Sequence, residues 1–122
     1  MYKVYFYHDR RGRSPVKDYI DSLIAKNDKE SRIKLNKIRE YIKILSEYGL
    51  SAGEPYMKHI KDGIWELRPM RDRILFAVWD GDGFVLLHQF MKQTQKTPKN
   101  EIEKAVRNLL DYRERSHENE NI

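Results

Sequence analysis

The sequence predicts an α+β fold: an antiparallel sheet with helices packed on one face, in the order β-α-α-β-β-β-α. Two observations carry this expectation. Between residues 64 and 91, short runs rich in Ile, Val, Leu, Phe and Trp alternate with turn residues, as in a strand meander. On both sides of that region, apolar residues recur at helical spacing instead.

Residues 2–8 alternate aromatic and β-branched types before the polar run Asp9-Arg10-Arg11-Gly12-Arg13, so they form a first strand and turn. Ser14-Pro15 is a helix start, because serine caps and proline suits the first helical position. Tyr19, Ile20, Leu23 and Ile24 then give a short helix over 15–25. A longer helix carries Ile38, Tyr41, Ile42, Leu45 and Tyr48 as one stripe and stops at Gly49. Residues 50–63, with Gly53, Pro55 and Gly63 and no sustained period, read as a loop. Three strands follow at 64–68, 73–79 and 84–91, the last two joined by Asp80-Gly81-Asp82-Gly83, which supplies a tight hairpin. Thr97-Pro98 repeats the start signal, and Ile102, Ala105, Val106, Leu109 and Leu110 form the stripe of a final helix. The expectation is one domain over 1–115, with a polar tail at 116–122.

Composition narrows the functions. A chain of 122 residues suits one core. Lys and Arg number 24 against 19 Asp and Glu, a net charge of +5, which favours polyanions or an acidic protein as partner. Cysteine is absent, excluding disulfides, thiolate nucleophiles and cysteine zinc sites. The opening residues are too polar for a signal peptide, and no apolar run approaches the ~18 residues of a membrane span. The expected address is the cytoplasm, without membrane partners.

No H-E-x-x-H, P-loop, G-x-S-x-G or G-x-G-x-x-G occurs. His8, His59, His88 and His117 lie far apart with no ligand spacing, so no metal site is expected. What remains is a concentration of cations around the meander. Strand alternation puts Glu66 and Arg68 on one face, and Leu86, His88, Phe90 and Lys92 together on another strand. Arg73 opens the middle strand, and residues 89–100 carry Lys92, Lys96 and Lys99 with no acidic residue. Convergence of Arg68, Arg73 and Lys92 would hold a phosphodiester and neutralise charge developing on its oxygens. The plainer readings are solvated or edge-guarding cations, a core role for Phe90 and Trp79, a surface His88, and a simple Glu66–Arg pair.

These residues resemble a known pattern. Ile64-Trp65-Glu66-Leu67-Arg68, Arg73-Ile74, Leu86-Leu87-His88-Gln89-Phe90, Lys96-Thr97-Pro98 and Glu101-Ile102 are similar, in order and spacing, to the phage-derived branch of the RelE/HigB toxin family. The likeness runs from Lys58 to Ala105. It implies the toxin of a type II toxin–antitoxin pair, which enters the ribosomal A site and cleaves mRNA. The family scheme is a metal-free, cofactor-free attack of a ribose 2′-hydroxyl on the adjacent phosphate. The resemblance assigns Arg73 to the scissile phosphate, Arg68 to the transition state and Lys92 to proton transfer or charge stabilisation. Glu66 and His88 are reserve acid–base candidates; Lys58 and Lys96 hold flanking RNA, and Phe90 belongs to the substrate-binding set. Asp72 stands where an aromatic residue is common, and Gln93 replaces a lysine.

The same resemblance implies a cognate helix-turn-helix antitoxin of HigA-like type, joined with the toxin in a heterotetramer. DNA would be bound only through that antitoxin. A non-enzymatic nucleic-acid-binding or phage-derived adaptor domain is the alternative, and a module that binds only a helical protein partner is a third reading.

Overall fold

The computed structural model describes residues 1–120, with side chains through Ser116; of the expected tail at 116–122, residues 116–120 continue the last helix and 121–122 lie outside the described residues. The chain forms β1 (Lys3–Phe6), α1 (Pro15–Lys26), α2 (Lys29–Tyr48), a 3-10 turn (Gly49–Ala52), β2 (Met57–Lys61), β3 (Ile64–Leu67), β4 (Asp72–Trp79), β5 (Gly83–Met91) and α3 (Lys99–Glu120). The five strands make one sheet in the order β1-β5-β4-β3-β2. Only β1 runs parallel to its neighbour; β2 to β5 form an antiparallel meander.

The local signals act largely as anticipated. Pro15 opens α1, but the Ser14 side chain does not cap it; instead the Asp18 carboxylate accepts the Ser14 backbone N–H at 3.0 Å. Asp28 caps α2 by accepting from the Ser31 N–H at 2.7 Å. Gly49 ends α2 at φ 61°, and a Cβ there would come within 2.8 Å of the Tyr2 ring, so both backbone and packing demand glycine. Asp80 and Gly81 take positive φ of 53° and 70°, turning β4 into β5 as a tight hairpin requires.

Two expectations need correction. Residues 57–61, read as loop, form β2. Its outward residues Lys58, His59 and Lys61 are exposed and only Met57 is buried, so it shows no apolar period. Lysines on such an edge discourage pairing with another chain.

The α+β class holds, but the helices are not all on one face. Ile74, Phe76 and Leu86 pack with Val16, Leu23, Leu35, Ile38 and Leu45 of α1 and α2. Leu75, Ala77, Val85 and Leu87 pack with Ala105 and Leu109 of α3. The central strands β4 and β5 are apolar on both sides, and each side therefore needs its own cover. Among the described residues, no helix is long and apolar enough to cross a membrane.

Candidate active site

Strand register brings the sequence-nominated residues onto one face. Lys58 of β2 pairs with Glu66 of β3, and Glu66 pairs with Leu75 of β4. Leu75 pairs in turn with His88 of β5, and Arg73 pairs with Phe90 one step along. Directly paired residues share a sheet face, so Lys58, Glu66, Arg73, His88 and Phe90 all lie on the α3 side, beyond the N-terminus of that helix. A cleft of about 310 Å³ opens there, lined by Lys58, Glu66, Arg68, Lys96, Thr97 and Ile102.

Glu66 organises the charges. It is only 2% exposed. Its Oε1 lies 3.4 Å from Arg68 Nε and 3.8 Å from Arg73 Nε, while its Oε2 accepts the Thr97 hydroxyl at 2.7 Å. A buried carboxylate needs such partners, since an uncompensated charge out of water is costly. The two arginines differ. The Arg73 side chain is 7% exposed, and its Nη1 donates to the Met70 and Asp72 carbonyls at 2.7 and 2.9 Å. Burial lowers its guanidinium below the usual arginine value, Glu66 opposing that effect and Arg68 adding to it. The Arg68 side chain is 24% exposed, and its Nε finds no hydrogen-bond acceptor, because the approach to Glu66 is an ion pair without hydrogen-bond alignment.

His88 stands about 10 Å of backbone from Glu66, two strand spacings away. Its Nε2 meets Glu101 Oε1 at 3.2 Å, and its ring stacks on Phe90 with centroids 6.2 Å apart. Burial holds the imidazole below the usual histidine range, outweighing the opposite pull of Glu101. Donation from Nε2–H to the carboxylate assigns the tautomer that leaves Nδ1 as the basic nitrogen. Glu101 also pairs with Lys104 at 3.4 Å.

Lys92 is the residue not gathered into this arrangement by any contact. It follows β5, donates its backbone N–H to the Arg71 carbonyl at 2.8 Å, and accepts from Arg71 Nη2 at 3.1 Å through its own carbonyl. Thr97 and Glu101 were not singled out as site residues from the sequence, although both lie inside the quoted pattern. Asp72, noted as a departure, is 1% exposed and accepts from the Tyr19 hydroxyl at 2.8 Å and Gln89 Nε2 at 3.0 Å. It ties α1 to the sheet. Among the described residues, no group of three or more His, Asp or Glu side chains is placed to hold a metal.

What this face offers chemically is a cationic cleft, with the His88 imidazole on the same sheet face but outside the cleft's lining, two strands from Glu66. Arg68, Lys58 and Lys96 present cations at the cleft, and Arg73 and Glu66 fix the first of these from below. A chain of the YoeB–YefM complex from Staphylococcus aureus shares the fold, with a TM-score of 0.51 at 16% identity, covering 76% of this chain and 99% of that one. No curated protein matches the sequence. The profile of the family described as "Phage derived protein Gp49-like" matches residues 23–110, a stretch that includes both arginines, Glu66, all of α2 and strands β2 to β5, and the chain belongs to that phage-derived family.

Proposed function

We propose that this protein is the toxin of a type II toxin–antitoxin pair, an endoribonuclease that cleaves mRNA in the ribosomal A site. The observation that carries the reading is the Arg68–Glu66–Arg73 cluster: two guanidiniums held around one buried carboxylate oxygen at the floor of a cationic cleft. The Gp49-like family and the fold shared with a chain of the YoeB–YefM complex support it. So does the pattern similar to RelE/HigB toxins, and we assign the chain to the HigB-like branch on that pattern.

In this reading RNA supplies its own nucleophile. The 2′-hydroxyl attacks the adjacent phosphorus while its proton passes to a side-chain base, the bond from phosphorus to the 5′-oxygen breaks, and that oxygen takes a proton from water. A 2′,3′-cyclic phosphate and a 5′-hydroxyl result. Arg68, the more exposed guanidinium, meets the phosphate oxygens as negative charge grows there. Arg73 is buried and already committed to backbone carbonyls, so it acts by holding Glu66 and adding positive field. His88, neutral and oriented by Glu101, takes the proton. Lys92, with no side-chain hydrogen bond or ion pair among the described residues, is left to hold charge on the entering strand. Lys58 and Lys96 contact flanking phosphates, and Phe90 supports His88. The partner is a HigA-like helix-turn-helix antitoxin in a heterotetramer that alone reads DNA, and the site of action is the cytoplasm.

Primer extension on cellular transcripts after induction tests this. Wild type should generate new 5′ ends that Arg68→Ala, still folded, does not. Identical ends from both chains would exclude the nuclease and leave a non-enzymatic nucleic-acid adaptor.

A further inference from the structure

A second concavity lies on the other side of the sheet from the cationic cleft. It is a groove of about 450 Å³ between the start of α2 and the adjoining ends of β4 and β5. Its floor is apolar: Ile33, Met70 and Met91 are 45%, 52% and 40% exposed. Its rim is cationic, formed by Lys29, Lys34 and Arg71. Three large apolar side chains left in water within one groove mark an interaction surface rather than scattered exposure.

Among the described residues, the rim cations form no ion pair with a carboxylate. Lys34 reaches only the Met91 thioether, at 3.5 Å, and Arg71 only the Lys92 carbonyl. Lys29 forms no ion pair among the described residues. Glu30 is the one exposed acid on the lining, against three cations. Asp72, also on the lining, is buried and satisfied by Tyr19 and Gln89.

We propose that this groove docks an acidic segment of a partner protein that inserts two or three apolar side chains between Met70, Met91 and Ile33 while its carboxylates meet Lys29, Lys34 and Arg71. The inference deepens the toxin reading by naming the surface its protein partner holds. RNA fits less well, because its phosphates would satisfy the rim but leave the methionine floor uncovered. Methionine suits a peptide-docking floor, since its unbranched chain adapts to the side chains it receives.

The location gives docking a consequence. Met70 sits at φ 56°, a left-handed conformation unusual for its type. Its carbonyl accepts from Arg73 Nη1 at 2.7 Å, and Asp72 supplies the second acceptor. A segment seated on Met70 therefore bears on the turn that holds Arg73, and through Arg73 on Glu66, from behind the cleft. A partner so placed influences the nuclease centre without entering it.

The test uses the whole chain labelled at its methionine methyl groups. The four methionines are Met1, Met57, Met70 and Met91, and Met57, 1% exposed, is an internal control. The probes are a panel of 15-residue peptides carrying leucine at helical spacing among glutamates, a glutamate–serine peptide without apolar residues, and a single-stranded RNA of similar length. Expected are chemical-shift changes at Met70 and Met91 but not Met57 with the acidic amphipathic peptides, and at least a tenfold weaker response with the apolar-free peptide. Ile33→Glu and Lys34→Glu, each on the exposed or half-buried surface of α2, should weaken the response tenfold or more while leaving the Met57 signal in place. No response at Met70 and Met91 from any peptide, or an equal response to RNA, overturns the proposal. Neither outcome depends on whether transcripts are cut, so the fate of the nuclease reading is judged separately.

Discussion

Thr97 and Glu66, 31 residues apart in the chain, are joined by a 2.7 Å hydrogen bond from hydroxyl to carboxylate. The bond fastens the segment entering α3 to β3, next to the edge of the sheet. It also occupies the one Glu66 oxygen not facing the arginines. Removing the carboxylate charge should therefore be felt throughout the cluster. Glu66→Gln leaves two guanidiniums around a neutral amide, and we expect a loss of about 3 kcal/mol, as for breaking a buried pair. Thr97→Val removes one hydrogen bond and should cost about 1 kcal/mol. Urea denaturation of the two variants measures both, and equal small losses would show that Glu66 is not the hub of the cluster.

The arginines should separate in their effects. Arg68→Ala removes the exposed cation and should lower transcript cleavage by roughly 10²- to 10³-fold, with little loss of stability. Arg73→Ala should lower cleavage as well, but also destabilise the fold by about 2–3 kcal/mol, because it leaves Glu66 short of a buried counter-charge. Thermal melts run beside cleavage assays distinguish the two. A stable, inactive Arg73→Ala together with an unstable Arg68→Ala would reverse the roles.

His88 predicts a pH dependence. Burial makes the folded imidazole a weaker base than the same residue in the unfolded chain. Acid therefore favours the unfolded state. The stability tied to neutral His88 is fully present above about pH 6.5, the unfolded value, and is lost as pH falls toward the lower folded one. His88→Gln should flatten the stability profile on the acid side of about pH 6.5. Cleavage by wild type should also fall with acid over that range if Nδ1 is the base. An unchanged slope in His88→Gln would show that the residue does not titrate differently on folding.

Asp72 and Tyr19 supply a test away from the chemistry. Burial, followed by the hydrogen bond to Asp72, pushes the Tyr19 hydroxyl well above the ordinary tyrosine range. Tyr19→Phe removes one of the two donors to a buried carboxylate, and should cost about 1–2 kcal/mol in urea denaturation. Cleavage should be unaffected, since neither residue reaches the cleft. A loss of cleavage greater than the loss of folded protein would place the α1 contact within the functional unit.

Much of the fold is legible in the amino-acid pattern, and the failures have physical causes. The helices announce themselves through Ser14-Pro15, Gly49 and Thr97-Pro98 with their apolar stripes, and the hairpin through Asp80-Gly81. β2 is hidden because an edge strand covered by lysines has no apolar period to detect. The helices were expected on one face, although Ile74-Leu75-Phe76-Ala77 is an unbroken apolar run. Such a run belongs to a strand buried on both sides, and it calls for helices on both.

The candidate site divides the same way. Residue type and strand alternation nominated Glu66, Arg68, Arg73, His88, Phe90 and Lys92, but the two-residue period also put Leu86 beside His88. The bulge opposite Leu75 and Phe76 turns Leu86 to the α1–α2 side instead. The tertiary structure alone decided that Arg73 is enclosed while Arg68 is open, that Thr97 and Glu101 complete the polar partners, and that Lys92 joins none of them through a side-chain contact. Burial and hydrogen-bond pairing depend on which distant segments are packed together, and the packing of α3 and its leading loop against β3 and β5 is a property of the whole folded chain.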